Sequence, residues 1–276
     1  MSDLPKRDEI GHWSEIKLDI VRDYAKEYSK ILSKQEYIKH VYIDAFAGAG
    51  THISKTTRQI VPGSPLNALY VEPPFKELYL IDLDGQKTHL LEELTAGFSN
   101  VHIFQGDCNN ILLERVFPNV QYQQYRRGLC LLDPYGLHLN WNVMETAGKM
   151  ETIEIFLNFP IMDMNRNALW RNPEKVDETS LKRMTAFWGD DSWKEIAYTP
   201  SAQQSLFGGE ELEKQSNEII VDAFRTRLLE KGGFKYVPKP IPMKNTTGAV
   251  VYYLFFASNN KTGEKIGSYI LNKPRN

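Results

Sequence analysis

The sequence predicts an α/β fold in which five parallel strands form one sheet that helices cover on both faces. Between residues 41 and 159, apolar runs typical of buried strands alternate with stretches of helical periodicity. Such alternation is typical of a parallel sheet with crossover helices. Two later apolar runs, at 234–237 and 249–257, have no helical pattern between them, so they should pair as an antiparallel hairpin. The predicted sheet therefore ends in a C-terminal hairpin.

Length and composition indicate an ordinary globular protein with a sizeable core. The 276 residues suit one domain, 1–276, and the hydrophobic and charged fractions are 42% and 25%. A net charge of −2 excludes a global basic field that attracts nucleic acid, although a local basic groove stays open. We find no internal repeat and no linker that would split the chain.

The cysteines and the apolar runs predict a cytoplasmic protein. Cys108 and Cys130 form neither a Cys-x-x-Cys metal site nor a disulfide framework, which fits a reducing compartment. No cluster of His, Asp or Glu has the spacing of a metal site. No apolar run is long enough to cross a bilayer, and the first residues lack the apolar stretch of a secretory signal. We therefore expect no metal and no membrane partner.

The first element is a helix from residue 12 to about residue 34. Its apolar residues, from Trp13 through Ile20 to Tyr24, recur at helical spacing, and the opposite face is polar. We expect this helix to lie against the sheet or over the mouth of a ligand site.

The alternating strands and helices follow. Strands are predicted at 41–46, 78–82, 101–105, 128–133 and 152–159, and helices at 86–96, 110–117 and 142–149. After strand one, residues 52–59 form a polar segment. Ser64 then caps a helix that has Pro65 in its first position, a helix start that needs no ligand.

Residues 161–210 are predicted to form a helical insertion or lid within the domain. The pattern loosens there, and tryptophans such as Trp170 and Trp188 alternate with basic residues such as Arg171. This composition fits either a small satellite core with a charged rim or a platform for base stacking and phosphate contact. A long helix should follow from about 211 to 231, with acidic residues at its start and glycines after its end.

The chain is arranged around the end of strand one, which runs into a turn of small residues. Asp44, Phe46, Gly48 and Gly50 are spaced Asp-x-Phe-x-Gly-x-Gly. Glycines let backbone N–H groups approach a ligand because no Cβ stands in the way. A tight turn without a ligand would look much the same, so the other strand ends must decide between the two interpretations.

Polar residues follow every predicted parallel strand. Ligands of open parallel sheets bind at these carboxyl ends, near the point where the strand order reverses. Each group alone could be structural, since Asp82 and Asp107 suit helix N-caps and residues 133–136 suit a β-turn. Together they indicate a ligand site. The five ends carry Asp44 with the glycine turn, Asp82, Gly106-Asp107-Cys108, Asp133-Pro134-Tyr135-Gly136 and Asn158-Phe159-Pro160.

The chemistry of these ends favours S-adenosylmethionine as the cofactor. Asp82 suits a bidentate hydrogen bond to ribose hydroxyls, and Asp107 with the Cys108 backbone N–H suits the edge of an adenine. The glycine turn has no Lys or Arg that would bind pyrophosphate, and Asp44 stands there instead. Because a carboxylate favours a positively charged ligand, a sulfonium compound fits better than NAD or ATP.

These residues resemble the class I S-adenosylmethionine-dependent methyltransferase fold, a Rossmann-like doubly wound sheet. More closely, the sequence resembles the three-Cys-motif partner protein family of bacteria, archaea and phages. The residues behind that closer match are His12-Trp13, Tyr42-Ile43-Asp44-Ala45-Phe46-Ala47-Gly48, Pro62-Gly63-Ser64-Pro65-Leu66, Ile81-Asp82 and Leu157-Asn158-Phe159-Pro160. The family name implies a partner protein with a three-Cys motif of the radical S-adenosylmethionine type. With two separated cysteines, this chain cannot hold such a cluster itself.

The methyltransferase resemblance implies a part of the cofactor for each residue. The methionine part would lie near Asp44, Phe46, Gly48 and Gly50, the ribose near Asp82, and the adenine near Asp107 and Cys108.

The same resemblance implies an acceptor site at Asp133, Pro134 and Tyr135, where amino-methyltransferases carry Asp/Asn-Pro-Pro-Tyr. The Asp133 side chain and the Pro134 carbonyl would accept hydrogen bonds from a target amine, and Tyr135 would stack on a flat base. Catalysis would then be mostly positioning, on a base that is single-stranded or flipped out. Tyr135 replaces the second proline and Gly136 the aromatic residue, a departure that bears on the acceptor more than on the cofactor.

Three functions are open at this point. The first is an S-adenosylmethionine-dependent methyltransferase that acts on an amine, such as a nucleobase in RNA or DNA. The second is a non-catalytic or cofactor-binding fold that binds a three-Cys-motif protein. The third is a nucleotide-dependent Rossmann enzyme. Stabilisation by S-adenosylmethionine, or by NAD or ATP instead, would separate the first and third because a ligand that binds only the native state raises its stability.

Overall fold

The computed structural model describes residues 8–200 and 212–275. The strands are β1 (Glu9–Ile10), β2 (Lys39–Asp44), β3 (Thr51–Ser54), β4 (Ile60–Pro62), β5 (Glu77–Asp82), β6 (Val101–Gln105), β7 (Arg126–Leu132), β8 (Ile153–Phe159), β9 (Tyr198–Pro200), β10 (Leu212–Lys214), β11 (Ile241–Lys244) and β12 (Val250–Ala257). The helices are α1 (His12–Leu32), α2 (Ser64–Leu69), α3 (Gly85–Thr95), α4 (Cys108–Ile111), α5 (Trp141–Met150), α6 (Ile161–Asn167), α7 (Glu178–Trp188), α8 (Trp193–Ala197), α9 (Asn217–Glu230) and α10 (Lys261–Asn272).

The main sheet has the strand order β11-β12-β8-β7-β2-β5-β6. Strands β6, β5, β2, β7 and β8 are parallel, whereas β12 is antiparallel to β8 and β11 is antiparallel to β12. The chain builds outward from β2 to β5 and β6, and then returns to the other side of β2 with β7 and β8. This is the Rossmann-type, doubly wound α/β fold that the sequence predicts, with five parallel strands and a closing antiparallel hairpin.

Helices cover both faces of the sheet because successive strand residues point in opposite directions. In β2, Val41 and Ile43 belong to one buried cluster, together with residues of α5 and α9. Tyr42 belongs to the other cluster, together with residues of α1 and α10. Burial on two faces explains why the parallel strands read as continuous apolar runs without polar alternation.

A small three-stranded sheet covers part of the carboxyl edge. In it, β3 pairs in parallel with β1 and antiparallel with β4. The sequence analysis assigned no strand to the polar segment at 52–59, whereas β3 occupies its first residues. The pairing of β3 with β1 is distant in sequence. The Ile53 amide donates to the Asp8 carbonyl at 3.0 Å, and the Lys55 amide donates to the Ile10 carbonyl at 2.9 Å. Local periodicity does not reveal a strand of this kind.

Two predicted boundaries near the C-terminus are wrong. The long helix begins at Asn217, not near 211, because residues 212–214 pair with β9 and the Ser216 side chain caps the helix. The partner of β12 is β11, whereas residues 234–237 contribute only a single bridge between Tyr236 and Ser258. Helix α10, which the sequence interpretation missed, packs beside α1. The predicted turn at Gly208-Gly209 lies outside the described residues.

The predicted insertion, as far as residue 200, contains α6, α7 and α8. Trp188 and Trp193 are fully buried and belong to the same cluster as Phe159 on β8 and Phe224 on α9. Residues 201–210 lie outside the described part of the chain. The single-domain organisation and the lid role stay predictions. Within the described ranges, no helix is both long and apolar enough to cross a membrane.

Candidate functional site

A cavity of about 420 Å³ lies where the strand order reverses, between the carboxyl ends of β2 and β7. Its volume is in the range of small-molecule sites, and its position is the one where open parallel sheets bind ligands. Residues of β1, α1 and β3 complete the lining. Among the lining residues are Asp8, Lys17, Phe46, Gly48, His52, Lys55, Ser64, Asp133, Pro134, Tyr135, Asn158 and Tyr252.

The glycine turn after β2 forms one wall of the cavity through Phe46 and Gly48. Gly48 and Gly50 have φ angles of +63° and +79°, the left-handed region that favours glycine. The Gly48 amide donates to Asp82 Oδ2 at 2.8 Å. This N–H group is therefore bound by the protein's own carboxylate. Gly50 lies outside the lining, and its carbonyl accepts a hydrogen bond from the Gly63 amide at 2.8 Å.

Asp82, predicted to bind ribose, holds the turn in place. Besides the Gly48 amide, the Asp84 amide donates to its Oδ1 at 2.9 Å, and the side chain is nearly buried. Both oxygens thus accept backbone hydrogen bonds, although each keeps a second lone pair. Asp82 lies outside the lining of the cavity, and its ribose role stays a prediction.

Asp107 and Cys108, predicted to bind adenine, form the start of α4. The Asn110 amide donates to Asp107 Oδ1 at 3.2 Å, which is an ordinary N-cap. Cys108 is buried, and burial, followed by the charge of Asp107, raises the pKa of its thiol to about 12. The thiol is therefore uncharged at neutral pH. Both residues lie outside the lining of the cavity, so the adenine assignment stays a prediction.

Asp44 is fully buried next to the glycine turn. The Phe46 amide donates to its Oδ1 at 3.3 Å, and the Tyr42 hydroxyl donates to its Oδ2 at 3.3 Å. Burial raises the pKa of Asp44 to about 7, against the opposing effect of hydrogen bonds from Ser64 and Phe46. Near neutral pH the side chain is therefore divided between its charged and neutral forms. Contact between Asp44 and a cofactor stays a prediction.

The Asp133 carboxylate is held by two side chains from distant elements. The Asn158 Nδ2 group donates to Asp133 Oδ1 at 2.7 Å, and the Lys17 ammonium forms an ion pair with Oδ2. Asn158 Oδ1 is buried and has no hydrogen-bond partner among residues 8–200 and 212–275. Because the amide nitrogen faces a carboxylate, the orientation of the Asn158 amide is determined by the contact. Asn158 thus lines the cavity and has a buried acceptor oxygen that lacks a donor.

Pro134 and Tyr135 line the same cavity. The Tyr135 side chain is 64% exposed, and its hydroxyl donates to Asp8 Oδ2 at 3.2 Å. The Lys87 ammonium also donates to Asp8 Oδ2, at 2.6 Å. The same ammonium lies 5.5 Å from the centre of the Tyr135 ring. Asp8, the residue before β1, is thereby attached to the end of the cavity. The structure brings the three predicted acceptor residues together with Phe46 and Gly48.

Lys17 was missed by the sequence interpretation, although its position gave a signal. It lies four residues after Trp13 and three before Ile20, within the apolar stripe of α1. The structure buries it. A lysine on the buried face of an amphipathic helix needs a carboxylate partner, and Asp133 is that partner.

His52 was also missed, because it lies on β3, the strand that periodicity does not reveal. Burial and the positive charge of Lys17 lower the pKa of its ring, so the imidazole is neutral at pH 7. Its Nδ1 atom is buried and has no hydrogen-bond partner within the described ranges. A neutral imidazole in the cavity lining can exchange a hydrogen bond with a ligand. Among the described residues, including those of the cavity, no group of three or more His, Cys, Asp or Glu side chains could hold a metal ion.

Comparison with solved structures finds many distant neighbours. A protein from Legionella pneumophila is 14% identical, with a TM-score of 0.41, covering 78% of this chain and 93% of its own. An S-adenosylmethionine-dependent methyltransferase from Clostridium acetobutylicum is 10% identical, with a TM-score of 0.40 and coverages of 87% and 91%. The N-methyltransferase NodS from Bradyrhizobium japonicum, in complex with S-adenosyl-L-homocysteine, is 10% identical, with a TM-score of 0.40 and coverages of 91% and 89%.

No family model matches the sequence, and no curated protein matches it. The resemblance to the three-Cys-motif partner family therefore stays a prediction.

Proposed function

We propose that this protein is an S-adenosylmethionine-dependent methyltransferase that methylates an amine, with a nucleobase of RNA or DNA as the acceptor class. The observation that carries the proposal is that Asn158 lines the cavity and has a buried acceptor oxygen without a donor. A buried acceptor without a partner is costly, and a ligand with an N–H group would satisfy it. Asp133, which Asn158 contacts, offers a second acceptor at the same place.

The residues present fit the proposed cofactor in size and in charge. The cavity of about 420 Å³ has the volume of a small-molecule site. A Cβ added to Gly48 would meet no atom within 4 Å, so the space beside the turn is open. Three carboxylates and two lysines line the cavity, so the net charge of its lining is negative. When bound, S-adenosylmethionine supplies a methyl group that its sulfonium activates.

The side chains of this protein would position the acceptor. Asp133 and Asn158 would accept hydrogen bonds from the amine and so direct its lone pair into the cavity. Lys17, through its ion pair, orients the Asp133 carboxylate and is a positioning residue. The exposed ring of Tyr135 would stack on the base, and the Asp133 carboxylate would receive the proton that the nitrogen loses. Most of the rate enhancement would then come from orientation.

A transfer assay with isotopically labelled methyl groups tests this function. We expect labelling of an acceptor in total RNA or DNA, and a rise in melting temperature with S-adenosylmethionine. Asn158→Leu should keep the rise in melting temperature but lose at least roughly tenfold in transfer, since one hydrogen bond is worth about 1.4 kcal/mol or more at such a site. Full activity of Asn158→Leu would contradict the assigned acceptor position.

The second candidate is a cofactor-binding partner of a three-Cys-motif protein, without transferase activity. The Lys17–Asp133 ion pair favours it, because the ammonium takes one of the two carboxylate oxygens that an amine would use. This candidate predicts stabilisation by S-adenosylmethionine but no labelling of RNA, DNA or protein. Stabilisation by NAD or ATP in place of S-adenosylmethionine would contradict both candidates.

A further inference from the structure

A second, open groove of about 580 Å³ lies between the insertion and the start of α9, and it shares no lining residue with the cavity described above. It is formed by α6, the segment after α6, β10 and the start of α9. The residues that line it are mostly polar, basic or aromatic, which is unlike a piece of exposed core. They are Asn165, Leu169, Trp170, Arg171, Lys214, Gln215, Ser216 and Asn217.

Two cations meet in this groove without a carboxylate. Lys214 is partly buried, and burial together with the charge of Arg171 lowers the pKa of its ammonium. Within residues 8–200 and 212–275, no ion pair involves either of these two side chains. The Lys214 ammonium is held by a neutral group instead, since it donates to Asn165 Oδ1 at 2.5 Å. Two like charges brought together in this way favour an anionic ligand.

The side chain that holds Lys214 is itself fixed. The Asn165 Nδ2 group donates to Asn217 Oδ1 at 3.0 Å, which joins α6 to the first residue of α9. The Gln215 side chain donates to Thr199 Oγ1 at 2.6 Å. The ammonium is therefore positioned by the fold and does not sample the conformations of a free surface lysine.

An aromatic ring lies next to the two cations. Trp170 is 42% exposed, and its indole N–H donates to the Arg166 carbonyl at 2.6 Å. Its backbone carbonyl accepts from the Tyr198 hydroxyl at 2.7 Å. Because both of these polar groups are engaged within the protein, the part of Trp170 that is free to bind a ligand is the apolar ring. Such a ring beside positive charge suits base stacking.

Helix α6 connects the groove to the proposed acceptor site. A Cβ added at Gly136, in the turn that follows β7, would come within 2.8 Å of Asp163 Oδ2 on α6. Asn165, which binds Lys214, follows two residues later on the same short helix. One strand of a polymer could therefore contact both places at once.

We infer that this groove binds the backbone of a single-stranded nucleic acid, with Arg171 and Lys214 on phosphate and Trp170 stacked on a base. This inference rests on the proposed function, since the groove would bind the backbone of the same nucleic acid whose base enters the cavity. It explains how a chain of net charge −2 could bind a polyanion, because the positive charge is concentrated locally.

The test is the binding of a fluorescent single-stranded oligoribonucleotide, measured at several salt concentrations. We expect Arg171→Gln with Lys214→Met to weaken binding. The plot of log affinity against log salt should become less steep by roughly 1.4, about 0.7 for each phosphate that is no longer neutralised. Trp170→Ala should weaken binding at all salt concentrations without changing that slope. The matched control is Lys182→Met with Lys194→Met, which removes two exposed insertion lysines that are paired with carboxylates.

Two results would overturn the inference at once: no binding of the oligonucleotide by the wild type, or a loss in the double variant no larger than in the control. Preferential binding of a polyglutamate peptide would also overturn it, because the groove would then serve an acidic protein. Oligonucleotide binding that depends on Arg171 and Lys214, without any effect of S-adenosylmethionine on stability, would uphold the groove and contradict the proposed function.

Discussion

The two halves of the sheet's carboxyl edge differ in what their polar side chains contact. On the β5–β6 side, Asp82 and Asp107 accept hydrogen bonds from backbone amides of the turn and helices that they hold. On the β7–β8 side, Asp133 contacts Lys17, which lies 116 residues away in sequence, and Asn158 keeps an acceptor oxygen without a donor. The carboxylates of the first half are satisfied by backbone amides of the protein itself. The second half has unused hydrogen-bonding capacity, and this difference favours it as the acceptor site.

The largest expected effect concerns Asp44, on β2 between the two halves. Its native pKa is raised to about 7, so between about pH 4 and 7 the native state holds a proton that the unfolded chain has lost. The free energy of unfolding should therefore fall as pH rises through this window, by up to roughly 4 kcal/mol in total. Asp44→Asn should flatten the profile in urea unfolding at several pH values. An unchanged slope in Asp44→Asn would contradict the raised pKa.

Removal of the Asp133 side chain, on the β7–β8 side, should lower the free energy of unfolding. Asp133→Ala leaves the Lys17 ammonium buried without a partner, which costs about 3 kcal/mol. Adding Lys17→Met removes the stranded charge and should recover most of that loss. A double-mutant cycle measured by urea unfolding checks the coupling. Equal stability of Asp133→Ala and the double variant would show that the ion pair is unimportant.

Removal of the Asp82 side chain, on the β5–β6 side, should lower the free energy of unfolding by a smaller amount. Asp82→Ala leaves the Gly48 and Asp84 amides without their acceptor, at a cost of about 2 kcal/mol. If Asp82 also binds ribose, the rise in melting temperature with S-adenosylmethionine should vanish. The control is Asp177→Asn, which keeps an N-cap acceptor at the start of α7, outside the cavity. A ligand-induced shift that survives Asp82→Ala would leave this residue with its structural role alone.

The smallest effect is expected at Tyr135, which is mostly exposed. Tyr135→Phe deletes the hydrogen bond to Asp8 and should change stability by less than about 0.5 kcal/mol. The ring stays available for stacking, so methyl transfer should be nearly unchanged, whereas Tyr135→Ala should lower it. Equal activity of the Phe and Ala variants would argue against a stacking role.

Much of the fold could be predicted because its elements have local causes. The apolar runs of β2, β5, β6, β7 and β8 are long and continuous, and Asp107 is the N-cap residue that its side chain suggests. The boundary errors have a common origin in short strands that are defined by their pairing partners and have little periodicity of their own. These are β3 with β1 and β4, β10 with β9, and β11 with β12.

The amino-acid sequence alone determined the order of the parallel strands and helices, the glycine turn and the polar residues at the strand ends, because each depends on neighbours a few positions away. Only the tertiary structure decided which of those polar groups lie in the cavity. It placed Lys17 against Asp133, brought His52 into the lining and used Asp82 to hold the Gly48 amide. The physical reason is that burial and charge pairing depend on which distant segments meet, and local periodicity does not contain that information.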